Sequence, residues 1–366
     1  MNVNKVKRYI LSLVILHLTL YSAVAQPASW FPKGVGGGGA LFSPSINPAN
    51  DNEYYIACDM SELFHTTDFG FSYSQLNYSQ FIGGHNSRMC FTSTPNLLFN
   101  ISYPDPAQVA IPVKSIDNGA TWTPLAGNPD ATSDVYTLHV DYADPTKIII
   151  SSFSNIYFSS TGGTTFTSIH TCINNGAGNI LGGVFFDGMN IYIGTNDGVL
   201  VSSNGGTSWS TATITGIPVT QAIFSFAGAK VGGTTRFFCV TGTAANMYVG
   251  LQGSDYNGFM AGVYSCDFGS TQWLAKMSGI TVGTDYPMFV DMAENDINTA
   301  YLAGSNSSSN PNIMKTINGG GAWTHVFNTV NNQNIITGWS GYQGDKDWSW
   351  GECPFGFDVS STNKMK

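Results

Sequence analysis

The stretch that decides the fold runs from Gly34 to Leu76. It reads Gly-Val-Gly-Gly-Gly-Gly-Ala-Leu-Phe-Ser-Pro-Ser-Ile-Asn-Pro (34–48), Tyr-Tyr-Ile-Ala-Cys-Asp-Met (54–60) and His-Thr-Thr-Asp-Phe-Gly-Phe-Ser-Tyr-Ser-Gln-Leu (65–76). A glycine run lets the backbone pass close to a neighbour, and the Asn47-Pro48 turn leads into an apolar strand. Asp59 stands at the end of that strand. A turn of the form Ser/Thr-x-Asp-x-Gly-x-x-aromatic then follows at Thr66, Asp68, Gly70 and Tyr73.

That turn recurs down the chain. It returns as Ser115-Ile-Asp117-Asn-Gly119-Ala-Thr-Trp122, as Ser159-Ser-Thr161-Gly-Gly163-Thr-Thr-Phe166 and as Ser202-Ser-Asn204-Gly-Gly206-Thr-Ser-Trp209. A degenerate copy has Ser265, Asp267 and Gly269, with Trp273 one place late, and a sixth copy spans Thr316, Asn318, Gly320 and Trp323. The marker positions 68, 117, 161, 204, 267 and 318 are 43 to 63 residues apart. Such periods, with several strands in each, point to propeller blades rather than to a solenoid. β-rich runs alternate with the turns, as at Tyr54–Ala57, Ile148–Ile150 and Thr299–Leu302. Leu181–Asn196 reads as a hairpin around Asp-Gly-Met-Asn.

Composition agrees with many short strands. Only 10% of residues are charged, 13% are aromatic and 42 are glycine, and no helical periodicity of any length stands out. The six cysteines are too few for a disulfide-built scaffold, and no Cys/His spacing announces zinc. The sequence implies no metal and no cofactor.

The N-terminus has Lys5, Lys7 and Arg8, an apolar run from Tyr9 to Ser22, and Ala23-Val24-Ala25 before Gln26. This is the pattern of a secretory signal over residues 1–25, with the propeller domain occupying 26–366. No later apolar run approaches the roughly 18 residues of a spanning helix, so the expectation is an exported protein without membrane insertion. Processing removes three cations from a chain of net charge −9. Such an acidic chain is ill suited to nucleic acid.

The repeated turn resembles an Asp box, and the chain resembles Asp-box (BNR-repeat) β-propellers. The chemistry of that turn is structural. Hydroxyl and carboxylate bond the turn's own backbone, glycine supplies positive φ, and the ring wedges against the next strand. Replacement of Asp by Thr161, Asn204 and Asn318 fits this role, because hydrogen bonding survives the change and acid catalysis does not. Sialidases resemble the chain only in these turns. They hold a carboxylate with three arginines, and only Arg88 and Arg236 remain after processing, which excludes sialidase activity. Sortilin-type and photosystem-assembly-factor propellers are similar at the level of the blades.

The N-terminal propeller of xyloglucan-active glucanases is more similar. That family opens with a Gly-rich run, a Pro turn, a Tyr-containing strand and an aspartate, matched here by Gly36–Gly39, Asn47-Pro48, Tyr54-Tyr55 and Asp59, with Leu63-Phe64 next. The resemblance implies an all-β propeller of seven blades, secretion, a polysaccharide partner, and one of two catalytic carboxylates at Asp59. It also implies a second propeller C-terminal to the residues here. Gly356–Lys366 reads as the opening of a blade that is not completed.

Read from the residues alone, Asp59 ends an apolar strand beside open glycine-lined space. It is equally a strand-end aspartate that bonds the next turn. His85 and Arg88, in Gly83-Gly-His-Asn-Ser-Arg88, are candidates for binding an anionic sugar or orienting Asp59, with a solvated loop as the competing reading. Between 339 and 352 lie Trp339, Tyr342, Asp345, Asp347, Trp348, Trp350 and Glu352. Flat rings stack on pyranose faces, and carboxylates bond hydroxyls or move protons. Asp345, Asp347 and Glu352 are therefore candidates for the second acid, and the four rings for substrate binding. The expected function is glycoside hydrolysis of a β-glucan or xyloglucan-like polymer. A non-catalytic glycan-binding or assembly propeller is one alternative. A polysaccharide lyase using His85, Arg88 and a Tyr is the other.

Overall fold

A computed structural model describes residues 33, 35, 39–104, 109–173, 181–243, 260–308, 310–328 and 356–364. These form six antiparallel sheets and no helix. Among the described residues no helix is long and apolar enough to cross a membrane. Five sheets have four strands each, and one has three. In every sheet consecutive strands pair, so each is an up-and-down meander built from local turns. The apolar clusters show how the sheets stack. Phe42, Tyr55 and Leu63 of the first sheet pack on Met89, Phe91 and Leu98 around the second. Phe99 and Leu125 meet Leu138 and Ile150. Phe158 meets Leu181 and Leu200, Tyr192 meets Phe237, and Phe238 meets Leu302 and Trp323. Each cluster lies between one sheet and the next, which is the packing of a propeller. A fully buried ring such as Phe237 contributes about 2 kcal/mol or more.

The expected seven blades are six in the described residues. The repeated turn occurs six times and each sheet carries one copy. Residues 356–364 form no sheet. This segment lies between the sixth and first blades. Val359 N donates to Asp291 Oδ2 (2.7 Å), Glu294 N to Ser361 O (2.8 Å), and Ile46 N to Asp358 Oδ2 (2.7 Å). Phe357 and Val359 pack with Ala293 and Tyr301. Residues 1–25 lie outside the described residues.

A central cavity of about 720 Å³ is lined by the first strand of each blade, including Leu41–Asn47, Thr137–Val140, Leu181–Asp187 and Asp285–Asp291. In the three-stranded second blade, residues 85–91 take that inner place, bridged to the sheet through Cys90 and Phe99. We call the end where inner strands begin the upper mouth and the end where they finish the lower mouth.

Five of the six repeated turns share one bonding pattern. In the first, Gly70 N donates to Thr66 Oγ1 (2.9 Å) and Ser72 N to Asp68 Oδ1 (2.9 Å). The same pair of bonds recurs at Gly119/Thr121, Gly163/Thr165, Gly206/Ser208 and Gly320/Ala322. The two residues after the marker both have positive φ, as at Asn118 (59°) and Gly119 (87°), and the larger angle at the second lies outside the narrow left-handed region open to other residues, which is why glycine stands there. These turns sit at the lower end, bonded to the hairpin between the first two strands, as in Phe69 N to Asn52 O and Gly205 N to Met189 O (both 2.8 Å). The fifth turn departs. Asp267 is held by Arg236, with Nε to Oδ1 at 2.6 Å and Nη2 to Oδ2 at 2.9 Å.

These bonds hold the Asp68 and Asp117 carboxyls down at about 2, chiefly through Ser72 and Thr121 respectively. Asp117→Ala removes the acceptor for Thr121 and Ser115. A thermal melt is expected to show a small drop in Tm for this variant, with any polysaccharide activity unchanged.

Candidate functional site

Asp59 lies at the upper mouth, on the opposite end of the blade from the repeated turns, because it follows Asn50–Cys58, which runs antiparallel to the inner strand. A tight return closes from Cys58 N to Glu62 O (2.9 Å) and passes through Ser61 at a φ of 81°. A serine in that region is strained by about 1 kcal/mol, and Gly83 N, donating to Ser61 O at 2.8 Å, helps hold it. The side chain of Asp59 is exposed. Its Oδ1 accepts from Ala40 N at 3.0 Å. The last residue of the glycine run explains this approach, since a Cβ on Gly39 would fall 2.3 Å from Asp59 Oδ1 and its φ is 112°. Gly83 plays a similar part beneath the return, where a Cβ would lie 2.8 Å from Glu62 O.

His85 stands beside this carboxylate. Its ring centroid is 4.2 Å from that of Phe42, and its carbonyl accepts from Ser43 Oγ at 2.6 Å. Burial pushes the imidazole pKa down, and the Asp59 charge opposes that shift. Asn86, which hydrogen-bonds Tyr103, and Tyr136 line the same end. His85, Asn86 and Tyr136 line this end of the cavity, and Asp59 stands outside the lining, near enough for its charge to act on His85.

Arg88 is not part of that group. It points down the cavity to Asp358, Nη2 to Oδ1 at 2.6 Å. Asp291 and Glu294 lie near by, so one guanidinium serves three acids, while Asp141, close to Glu294, pairs with Lys147 at 3.6 Å. Protein surrounds Arg88 on all sides, yet its side chain is 46% exposed because the cavity is open to solvent, whereas Asp358 is 7% exposed. Burial raises the Asp358 and Asp291 carboxyls, and in Asp291 the Asp358 charge adds to the rise. Glu294 is pushed up to about 7, by burial first and then by Asp141 and Asp358. His139 is driven down to about 3, by burial and then by Arg88. At the lower mouth Lys230 Nζ meets Asp187 Oδ2 at 2.6 Å and Lys147 Nζ meets Gly188 O at 2.9 Å, tying neighbouring blades.

Of the residues singled out from sequence, Asp59 and His85 lie at the same end, His85 in the cavity lining and Asp59 outside it, while Arg88 turns to Asp358. Trp339, Tyr342, Asp345, Asp347, Trp348, Trp350 and Glu352 lie outside the described residues. Sequence reading missed Asp291, Glu294 and Asp358 as an acidic group lining the cavity. One signal was present: Asp187 and Asp291 both end inner strands, and Asp141 follows another.

The Asp291 shift has a measurable consequence. Its folded pKa lies above its unfolded value, so the stability it contributes is full below about pH 4 and is lost as pH rises toward the folded value of about 7. Asp291→Asn removes that loss. Between pH 5 and pH 8, the stability difference between variant and wild type is expected to move in the variant's favour by about 1–2 kcal/mol, read from urea melts at both pH values. A difference independent of pH would show that Asp291 titrates as an ordinary carboxylate.

No protein-family model matches the sequence, and no curated protein does. Among solved structures, the GH74 xyloglucanase from Xanthomonas campestris is 15% identical, with a TM-score of 0.59 over 82% of this chain and 47% of that one. An ancestral GH74 enzyme is 15% identical, with a TM-score of 0.64 over 86% of this chain and 42% of that one. YCF48 bound to D1 peptide is 11% identical, with a TM-score of 0.52 over 86% and 89%. The chain thus spans less than half the length of the two GH74 structures. At these identities the likeness is one of fold, and the fold is a β-propeller.

Proposed function

We propose that this propeller is exported and acts on a carbohydrate polymer at its upper mouth, hydrolysing a β-glucan or xyloglucan-like chain with Asp59 as one of two carboxylates. The observation that carries the reading is the placement of Asp59. It is exposed, close enough for its charge to act on His85, at the end opposite the structural turns, in the one unit whose sequence resembles the opening of xyloglucan-active glucanases. The fold shared with the GH74 structures supports it. The second acid comes from Asp345, Asp347 or Glu352, or from a further domain. Inversion at the anomeric carbon requires the two carboxyls to stand roughly 6.5–9.5 Å apart, leaving room for the attacking water. In this reading the six repeated turns are Asp boxes, which hold the blades and take no part in chemistry. Ala23-Val24-Ala25 marks the cleavage site of the export signal.

A second reading, a glycan-binding or assembly propeller without catalysis, is favoured by the bond between Asp59 and Ala40 N, which is what a strand-end aspartate makes. YCF48 bound to D1 peptide shares the fold. A lyase is less well supported, because Arg88 is engaged by Asp358 rather than placed beside His85.

The test is purified protein on a panel of xyloglucan, other β-glucans and uronate polymers, following reducing ends, the first-formed anomer by NMR, and retention in affinity gels. Reducing ends from a β-glucan, with the α anomer formed first, are expected. Retention without cleavage would put the binding module in front, and unsaturated ends would put the lyase there.

A further inference from the structure

On the upper side, between the third and fourth blades, the end of one strand and a turn of the next sheet converge. His170 belongs to Thr167–Thr171, the outermost strand of the third blade, and Cys172 follows it. Two positions apart in extended chain, the two side chains share a face. Asp197 lies in the turn between Asn190–Thr195 and Gly198–Ser202 of the fourth blade. His170 Nε2 is 3.1 Å from Asp197 Oδ2, and one ligand atom from each of the three residues lies within 4.8 Å of the others. Cys172 is buried at 1% exposure, while the His170 and Asp197 side chains keep 20% and 16%, so the group opens to solvent on one side.

We propose that His170, Cys172 and Asp197 form a binding site for a zinc-type transition-metal dication, joining the third blade to the fourth. Bond lengths to sulfur, nitrogen and oxygen near 2.0–2.3 Å place neighbouring ligands of a tetrahedral site roughly 3.3–3.7 Å apart. The His170–Asp197 separation of 3.1 Å opens slightly and the separations to the Cys172 sulfur, within 4.8 Å, close by up to about 1 Å to reach that shape. Thiolate and imidazole favour zinc, cobalt or copper and disfavour calcium and magnesium, which take oxygen ligands. The carboxylate is already oriented. Ile173 N donates to Asp197 Oδ2 at 2.8 Å, and Asp197 N donates to Thr195 Oγ1 at 3.1 Å, fixing the turn as outer-shell partners fix metal ligands. Three protein ligands leave one coordination position for water or a small donor. The sequence does not announce the site because His-x-Cys is too short a motif and the third ligand arrives from the next blade.

The experiment uses the whole protein, stripped with chelator and titrated with Co²⁺ and then Zn²⁺. One Co²⁺ per chain is expected, with a thiolate-to-cobalt charge-transfer band in the near ultraviolet and the visible bands of a tetrahedral centre, both lost on adding Zn²⁺. Zn²⁺ should also raise Tm, as any ligand of the folded state does. Cys172→Ser should abolish the charge-transfer band. His170→Gln and Asp197→Asn, at partly exposed positions, should weaken Zn²⁺ roughly tenfold or more, so a folding failure of the buried cysteine variant leaves the site testable. Absence of stoichiometric binding, or binding that all three substitutions leave intact, overturns the assignment.

Discussion

Replacing Asp59 with Asn abolishes polysaccharide cleavage and leaves Tm almost unchanged; this is the result expected if the upper mouth is catalytic. The amide oxygen of Asn still accepts from Ala40 N, the bond that seats the side chain, and the position is exposed, so little folding energy is at risk. What disappears is the carboxylate. Loss of a general acid or base slows such reactions by about 10²–10⁴-fold, enough to bring release of reducing ends to background. Gly39→Ala is a companion variant, because its Cβ would fall 2.3 Å from Asp59 Oδ1 and push the carboxylate aside. Both variants should still bind polymer in affinity gels if the rings hold it. Undiminished cleavage by Asp59→Asn would remove Asp59 from the chemistry.

Arg88→Met is expected to be the most damaging single change in the cavity. It deletes the one guanidinium that faces Asp358, Asp291 and Glu294. Breaking a buried pair by removing one partner costs about 3–5 kcal/mol. The half-exposure of Arg88 means that solvent already screens part of that attraction, which lowers the expectation to about 2 kcal/mol at pH 8. The cost should shrink at pH 5, where the raised carboxyls take up protons and no longer need a cation. Urea melts at the two pH values measure it. His139 gives an independent readout, since Arg88 is one cause of its low pKa and its NMR titration should move up in the variant. Asp358→Asn in the same background should recover stability, because the two residues form one interaction. An Arg88→Met protein as stable as wild type at pH 8 would mean that the acids are neutralised by protons alone.

Blade architecture was legible because it is local. The repeated turn encodes its own geometry, with a hydroxyl, an acceptor and a glycine within five residues, and each sheet is a meander of neighbours. Asp59 was legible for the same reason, as a strand end beside glycines. The blade count failed at the C-terminal end, where the opening motif at Gly356 promises strands that the described residues do not contain. Arg88 was paired with His85 by proximity in sequence, yet residues three apart on an inner segment of a propeller reach different depths of the cavity. The acidic group could not be assembled on paper, because Asp141, Asp291 and Asp358 come from three distant segments.

The segment 356–364 also sets the order in which the molecule comes together. Each blade pairs strands that adjoin in the chain, so its hydrogen bonds close short loops. The bond from Ile46 N to Asp358 joins residues 312 apart, and Arg88 to Asp358 spans 270. Closing a loop of that length carries an entropy cost of about 5 kcal/mol on the logarithmic scale, before any constant term, and a handful of contacts must offset it. The joining of this segment to the first blade is therefore expected to follow the formation of the blades themselves.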